Sequence, residues 1–316
     1  MFDSLRFVQG AVAKKDFVPS LTHFHIAGGR VRGYNGMVGL CAPIDIDLAI
    51  SPKAGPFVKA IQTCSDTIQL HLAPSGKLVV KSGPFKAHIE CLPGDLPDME
   101  PEGTEIPLAG GLLNALKLLQ PFIAEDASRP WARGILFKGQ SAFVTNNIIL
   151  IEHWLGSPFP VAVNIPRMAV MELLRIGEEP DRMQLCETSV TFHFPQGRWL
   201  RTQTYSTEWP DLTRILDRPN EQRPIPPTLW EALLALVPFV DDAGRVHLLD
   251  GAIATSLVGN DGATTEVVGI VPGGCFNCTQ MRLLEGVAVT ADFSGFPKPC
   301  IFYGTDLRGA IVGVRG

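Results

Sequence analysis

The sequence repeats itself at a spacing of about 113 to 117 residues, and this repeat limits the folds that the chain can adopt. Three segments of the first third return in the same order in the second third: Ser51-Pro52-Lys53, Gln69-Leu70 and Leu96-Pro97-Asp98-Met99 become Ile165-Pro166-Arg167, Met183-Gln184-Leu185 and Trp209-Pro210-Asp211-Leu212. A fourth segment links the second and last thirds: Leu119-Gln120-Pro121-Phe122-Ile123 becomes Leu236-Val237-Pro238-Phe239-Val240. Short-unit solenoids repeat every ~20 to 50 residues, so this longer period indicates duplicated whole domains. The chain is predicted to contain three copies of one domain.

The size of the chain agrees with three domains. Its 316 residues give about 105 residues to each copy, which lies in the usual range for a domain. We expect the first domain at 1–103, the second at 104–220, and a shorter, divergent third at 221–316. Hydrophobic residues make up 46% of the sequence, which is enough to form ordinary cores.

Charge and cysteine content narrow the classes of function and location. The net charge of −5 argues against binding nucleic acid over the whole surface, although a local basic stripe remains possible. The N-terminus lacks the apolar core of a signal peptide, and no apolar run approaches the length of a membrane span. Seven scattered cysteines argue against a disulfide framework. We therefore expect a cytoplasmic protein.

Local patterns predict two helices in each third, each followed by strands. Helices are expected at 5–15, from Pro52 onward, and at 112–125, 166–176, 228–240 and 276–284. In the first third, strands are expected at 21–26, 31–40 and 44–50, with a hairpin turn at Gly28-Gly29. Proline-rich joints at 97–107 and 219–227 are expected to be linkers.

Several of these segments resemble the DNA polymerase III beta-subunit family of sliding clamps, in a phage-type version. The resemblance rests on the order and spacing of motifs along nearly the whole chain, each of which is weak alone. The motifs are Val18-Pro19-Ser20-Leu21, Pro52-Lys53, the stretch from Ser82-Gly83-Pro84-Phe85 to Leu96-Pro97-Asp98, Phe143-Val144-Thr145-Asn146-Asn147, Val163-Asn164-Ile165-Pro166-Arg167 with Met171-Glu172-Leu173-Leu174, Trp209-Pro210-Asp211-Leu212-Thr213-Arg214-Ile215-Leu216, Phe276-Asn277, and the tail Ile311-Val312-Gly313-Val314-Arg315.

The resemblance implies an α+β fold of three repeated clamp-type domains, each with two helices packed on antiparallel sheets, together forming half of a closed ring. Two chains would then assemble head to tail as a homodimer around DNA. The implied function is that of a processivity factor without catalysis, which encircles duplex or primed DNA and binds peptides of a DNA polymerase and a clamp loader. A phage-encoded clamp would act in the host cytoplasm.

A ring that slides needs lysine and arginine near the phosphates without reading the bases. The candidates on the expected inner helices are Arg6, Lys14, Lys15, Lys53, Lys59, Lys117, Arg167, Arg175 and Arg282. The alternative is that these are ordinary solvated helix faces. The expected helix 228–240 carries Glu231 and no basic residue, which departs from the pattern.

The segment Arg129-Pro130-Trp131-Ala132-Arg133 falls in a loop where clamps carry aromatic residues that contact single-stranded template. A ring between two arginines suits base stacking with phosphate neutralisation, so Arg129, Trp131 and Arg133 are further candidates. The alternative is a tryptophan packed on a domain edge with its arginines on the surface.

The resemblance also implies a hydrophobic groove between the second and third domains that takes short linear peptides. The matching residues are Thr145, Asn147, Ile149, Leu150, Pro210, Arg214, Ile215, Val312, Gly313 and Val314. Leu150 and Ile215 have an alternative role as strand interior. Valine at 312 and 314, where the family has flexible methionine, suggests a narrow range of peptides.

Enzyme functions have little support in the sequence. Cys275 and Cys278 have CxxC spacing without a second pair, and His23 and His25 share a strand face without a third ligand. No P-loop or nucleophile-elbow motif occurs, and neither a cofactor nor a metal is expected. Two rivals to the clamp stay open: a structural repeat protein such as a virion component, and an enzyme with a cysteine or histidine nucleophile.

Overall fold

The computed structural model of the protein describes residues 1–15, 17–93, 99–126, 128–205, 208–258 and 261–314. Its helices, in chain order, are α1 (Phe2–Val8), α2 (Ala54–Thr63), α3 (Leu112–Leu119), α4 (Arg167–Ile176), α5 (Thr213–Leu216), α6 (Thr228–Leu236) and α7 (Cys278–Arg282). Single 3-10 turns at Gln9–Ala11, Gln120–Phe122 and Val237–Phe239 directly follow α1, α3 and α6.

The strands fall into four sheets. They are β1 (His25–Ala27), β2 (Arg30–Tyr34), β3 (Val38–Pro43), β4 (Gln69–Leu72), β5 (Leu78–Ser82), β6 (Phe85–Ile89), β7 (Thr104–Pro107), β8 (Gly134–Lys138), β9 (Ser141–Thr145), β10 (Ile149–Trp154), β11 (Val163–Pro166), β12 (Arg182–Leu185), β13 (Ser189–Phe194), β14 (Arg198–Gln203), β15 (Arg223–Pro224), β16 (Arg245–Leu249), β17 (Ala252–Ala254), β18 (Thr264–Glu266), β19 (Gly274–Asn277), β20 (Thr290–Ala291), β21 (Cys300–Gly304) and β22 (Leu307–Ile311).

The order of elements confirms the repeat in the sequence. Each copy runs helix, three strands, helix, three strands: α1 with β1–β3 and α2 with β4–β6, then α3 with β8–β10 and α4 with β12–β14, then α6 with β16–β18 and α7 with β20–β22. One further strand precedes the second helix in the later copies, β11 and β19. The expected α+β fold with antiparallel sheets is confirmed.

Two large sheets join strands from different copies of the repeat. One sheet has the order β1-β2-β3-β14-β13-β12-β7, and the other has the order β11-β8-β9-β10-β22-β21-β20-β15. The joints are the antiparallel pairs β3–β14 and β10–β22. The two smaller sheets, β4-β5-β6 and β18-β17-β16-β19, contain strands of a single copy each.

The chain forms two compact units that follow these sheets. One unit comprises residues 1–113 and 166–206, and the other comprises 114–165 and 207–316. The middle copy contributes strands to both, because its first three strands pair with the third copy and its last three pair with the first. The boundaries at 103 and 220 stay a prediction.

Local sequence explains several ends of elements. The hairpin expected at Gly28-Gly29 joins β1 to β2, and both residues have positive φ, 57° and 70°, which glycine adopts without strain. Gly177 ends α4 in the left-handed conformation at φ 69°. Asn277 caps α7, because its side chain accepts a hydrogen bond from the Gln280 amide.

Several expectations differ from the structure. The helix expected at 5–15 is α1 with a 3-10 turn that ends at Ala11, and the strand expected at 21–26 begins only at His25. Residues 44–50 form no strand, and Ile50 makes only an isolated bridge to Ile26. The helix expected from Phe276 begins two residues later, because Phe276 lies on β19. The two linkers contain β7 and β15, which are short sheet strands. The motif Leu96-Pro97-Asp98 and Arg315 lie outside the described residues.

Candidate peptide groove and basic cavity

An apolar cluster forms where β10, β21, β22 and α5 meet. Its buried members are Leu150, Leu216, Ile301 and Ala310, and the partly buried side chains packed against it are Trp209, Leu212, Ile215 and Tyr303. We call this surface the groove. Of the predicted residues, Leu150 lies in its floor and Ile215 on its wall. Trp209, Leu212 and Tyr303 were not predicted as site residues, although Trp209-Pro210-Asp211-Leu212 is one of the repeated motifs.

A tight turn between β9 and β10 forms one end of the groove. The Asn146 side chain accepts hydrogen bonds from the amides of Ile148 and Ile149, at 3.1 and 2.8 Å. The Thr145 hydroxyl donates to the Ile149 carbonyl at 2.7 Å and accepts from the Asn147 amide at 3.0 Å. Since these bonds hold Asn147 at a φ of 73°, the turn is fixed before any ligand binds.

Not every predicted residue offers a surface to a ligand. The side chain of Ile149 is fully buried, and Thr145 is 5% exposed with its hydroxyl already bonded. Pro210 and Arg214 are exposed beside the cluster.

Val312 and Val314 follow β22, and the Val312 amide donates to the Ile148 carbonyl at 2.9 Å. This bond ties the tail to the turn. A side chain at Gly313 would collide with the ring of Phe296.

The tryptophan predicted to contact DNA packs against the groove instead of standing free. The rings of Trp131 and Trp209 meet edge to face, with centroids 4.9 Å apart and an interplanar angle of 68°. The Arg129 guanidinium donates to the side-chain oxygen of Asn147 at 3.1 Å. Asn164 donates to the Trp131 carbonyl at 2.8 Å. This geometry favours the alternative of a packed tryptophan, and it adds Trp131 to the groove wall.

Asp211 fixes the start of α5, which presents Ile215 to the groove. Its carboxylate accepts hydrogen bonds from the Thr213 hydroxyl at 2.5 Å and from the Thr213 amide at 3.1 Å. The hydroxyl bond is the main cause that lowers the pKa of Asp211 below its ordinary value. The aspartate therefore stays ionised at neutral pH.

Four of the predicted basic residues line one cavity in the unit that holds α1, α2 and α4. The cavity has a volume of about 810 Å³, and Arg6, Lys14, Lys53 and Arg175 lie on its wall together with Arg198. No sequence motif pointed to Arg198, which begins β14. A cavity with this many cations suits a phosphate-bearing ligand.

Two of these arginines are already held by neighbouring groups. Arg175 donates to the Glu172 carboxylate at 2.7 Å and to the Phe7 carbonyl at 2.7 Å. Arg198 makes a two-point pair with Glu178, at 3.0 and 2.6 Å, and lies 5.2 Å from the Phe7 ring centroid. These bonds fix the positions of Arg175 and Arg198 on the wall of the cavity.

The other predicted DNA-contact residues lie elsewhere on the described surface. Lys15, Lys59 and Lys117 are exposed, whereas Arg133, Arg167 and Arg282 are partly buried. Helix α6 has no basic residue, and its Leu234 side chain is 56% exposed. The predicted basic residues therefore lie mostly on the first and second copies of the repeat, and Arg282 is their one member from the third.

Among the described residues, no cluster of three or more histidine, cysteine, aspartate or glutamate side chains could hold a metal ion. In the same ranges, no helix has the length and apolar character that crossing a bilayer requires.

Comparison with solved structures decides the fold. The chain superposes over 100% of its length on 97% of the DNA polymerase III beta clamp of Bartonella birtlesii, with a TM-score of 0.84 and 19% sequence identity. The Pseudomonas aeruginosa subunit gives a TM-score of 0.83 at 18% identity, and the Caulobacter crescentus clamp gives 0.84 at 17%, with the same coverage. The chain has the sliding-clamp fold.

Sequence comparison alone does not find this relationship. No family model matches the chain, and no curated protein matches it by sequence. The clamp-like fold therefore rests on three-dimensional similarity at under 20% identity. Two of the similar structures, from Bartonella birtlesii and Pseudomonas aeruginosa, are bound to griselimycin. The phage-type attribution stays a prediction.

Proposed function

We propose that this chain is a DNA sliding clamp, a non-catalytic processivity factor that encircles duplex DNA and tethers a DNA polymerase. The observation that carries the proposal is the match of the whole chain to beta clamps of similar length. The cavity with Arg6, Lys14 and Lys53 supports contact with phosphates. Enclosure of DNA makes tight binding unnecessary, which agrees with few cations on a chain of net charge −5.

Two unpaired sheet edges support a head-to-tail homodimer. At both joints inside the chain, the third strand of a copy pairs with the last strand of the following copy, β3 with β14 and β10 with β22. By the same rule β18 should pair with β6. In the part of the chain that the structure describes, β18 and β6 are each the last strand of their sheet. Pairing of β6 on one chain with β18 on another would cover both edges.

The two joints also fix the register of the proposed dimer contact. Glu152 lies opposite Arg308 at one joint, and Cys41 lies opposite Trp199 at the other. Counted from the hairpin turns, Glu152 and Cys41 hold equivalent positions, as do Arg308 and Trp199. The same count gives Glu266 on β18 and Lys86 on β6.

This register gives the dimer contact complementary charge. Glu266, the last residue of β18, would lie directly opposite Lys86 across the joint. Val268 lies two residues after β18, and its side chain is 85% exposed. A partner chain paired to β18 would bury part of this side chain.

The clamp function is tested with nicked circular DNA. The protein is first diluted so that the proposed dimer dissociates. It is then concentrated together with the nicked circle, so that two chains reassociate around the duplex by mass action. We expect the protein to stay with the circle at high salt, which screens phosphate contacts, and to leave once the circle is cut. Equal retention on cut and uncut DNA would contradict enclosure. A virion component should ignore the topology of the DNA.

The groove is tested with griselimycin, which two similar clamps bind. We propose that the apolar cluster is the site for partner peptides and for this ligand. Replacing Trp209 by Ala removes a ring from the wall and should weaken griselimycin binding at least tenfold, which corresponds to ~1.4 kcal/mol. Trp154→Ala is the matched control, because Trp154 is 41% exposed at the end of β10. Equal losses in the two variants, measured by calorimetry, would contradict the assignment.

A further inference from the structure

The first copy of the repeat contains a pocket at the place that corresponds to the groove of the second copy. The cavity has a volume of about 300 Å³ and is lined by Leu21, His23, His25, Arg32, Tyr34 and Met99. It lies within a single compact unit. Pockets for whole small molecules span ~300 to 1,000 Å³, so this pocket is at the lower limit of that range. It has room for one or two side chains of a larger ligand.

The same backbone devices build both sites. The Asn35 side chain accepts from the amides of Met37 and Val38, at 3.0 and 2.9 Å, as Asn146 does for the two amides of its own turn. The Asn35 amide donates to the Val38 carbonyl, and the Asn146 amide donates to the Ile149 carbonyl, both at 3.2 Å.

The walls of the two sites also correspond. A 3-10 turn with proline at its start forms one wall in each, at Pro19–Thr22 and at Pro130–Arg133. Met99 and Leu212 occupy the same place in the repeated motif. The pocket is therefore a second version of the groove.

The chemistry of the two versions differs at a directly opposed pair of residues. In the second copy, Leu136 lies opposite Phe143 on β8 and β9. In the first copy, His25 lies opposite Arg32 on β1 and β2. An imidazole and a guanidinium thus replace two apolar side chains. The pocket keeps apolar contact from Leu21 and Met99 but gains hydrogen-bond donors.

The chain itself shows which acceptor group these donors bind. The Arg32 guanidinium forms an ion pair with the Glu100 carboxylate, immediately after Met99. Arg201 pairs with Glu102 at 3.1 Å in the same segment. Arginine suits carboxylates because its planar fork matches their geometry.

We propose that this pocket is a second peptide site, selective for an extended segment with an apolar side chain and a carboxylate two residues further on. Residues two apart lie on the same side of an extended peptide, so both groups reach the pocket together. The apolar side chain contacts Leu21 and Met99. The carboxylate replaces Glu100 as the partner of Arg32 and accepts from His25. This inference rests on the proposed function only for its class of occupant, a peptide.

The test uses the full chain with ¹³C-labelled methionine methyl groups and the pentapeptide acetyl-Gly-Leu-Ser-Glu-Gly-amide. The Met99 methyl resonance should shift on titration. The Met37 methyl, 46% exposed on the neighbouring turn, should not shift. The same peptide with Gln in place of Glu should bind at least threefold more weakly. An unmoved Met99 resonance, or equal affinity for the Glu and Gln peptides, would overturn the proposal.

A variant and a competitor separate this inference from the proposed function. His25→Leu restores the apolar residue of the second copy, so it should reduce the preference for the Glu peptide and leave griselimycin binding unchanged. Saturation with griselimycin should leave the Met99 shift in place. If griselimycin abolishes that shift, one site serves both ligands and the inference is wrong. If griselimycin binds at Trp209 and the peptide causes no Met99 shift, the inference is also wrong. The groove is then the one supported peptide site, and the proposed function is unaffected.

Discussion

Cys186 has the most activated thiol among the residues with a resolved pKa shift. Its sulfur lies 3.1 Å from the Ser189 hydroxyl and 3.7 Å from that of Thr188. The hydrogen bond from Ser189 is the main cause that lowers the pKa of Cys186 to about 7. Cys300 shows the opposite case, because burial raises the pKa of its thiol to about 11. Both are free cysteines, and their surroundings alone separate them.

We expect Cys186 to react first with iodoacetamide at pH 7.5, because most of its thiol is then ionised. The rate should rise through pH 7 as the thiol loses its proton, and it should level off above pH 8. Peptide mapping by mass spectrometry measures the order of labelling. Ser189→Ala should move the midpoint to higher pH by removing the hydrogen bond. Cys300 modified before Cys186 in the folded protein would contradict this account.

At the scale of elements, an ion pair links the two strands of the β10–β22 joint. Arg308 donates to the Glu152 carboxylate at 2.7 Å and to Asp217 at 2.8 Å. The Ser141 hydroxyl donates to the other Glu152 oxygen at 2.8 Å. The Glu152 side chain is 10% exposed, whereas that of Asp217 is 60% exposed. The same arginine therefore has one buried partner and one solvated partner.

Arg308→Ala should lower the free energy of unfolding by about 3 kcal/mol, because it leaves the Glu152 carboxylate buried without its cation. Asp217→Ala is the control, and it should cost under ~1 kcal/mol since that pair is exposed. Urea denaturation followed by circular dichroism measures both. Similar losses in the two variants would show that burial of Glu152 does not govern the strength of the joint.

Sequence patterns predicted elements well where periodicity and hydrogen bonding agree. The helix expected at 166–176 is observed as α4, Arg167–Ile176. Residues 44–50 differ because Ile44, Ile46 and Ile50 are buried in alternation without forming a ladder. Alternation reports burial on one side of the backbone, and it does not require a neighbouring strand.

Contacts between distant segments had no local signal in the sequence. The joint between β3 and β14 pairs strands about 160 residues apart, and no motif at Cys41 points to Trp199. The packing of Trp131 on Trp209 is a similar case. Arginines beside Trp131 fit a nucleic-acid loop equally well in the sequence, so only the fold distinguishes the two interpretations. Leu150 and Ile215 could be predicted because the resemblance to a known fold indicates which distant segments lie next to each other.

For the whole molecule, the joints within one chain predict the contact between two chains. Directly opposed residues of an antiparallel pair have Cα atoms ~4.5 to 5.5 Å apart, which suits a disulfide. If β6 and β18 pair in the register inferred above, the variant with Lys86→Cys and Glu266→Cys should oxidise to a covalent two-chain ring. Non-reducing electrophoresis measures the product. The unmodified chain, with its seven free thiols, controls for other cross-links.

A shifted pair gives the register its decisive control. Lys86→Cys combined with Thr265→Cys places the two sulfurs on opposite faces of the joint, because neighbouring residues of a strand alternate. This variant should stay uncross-linked under the same oxidant. Equal cross-linking of the two variants would mean that the edges meet loosely or in another register. Cross-linking of the matched variant after the protein has closed on nicked circular DNA should also keep the ring on that circle at any salt concentration, since covalent joints leave no exit but a cut in the DNA.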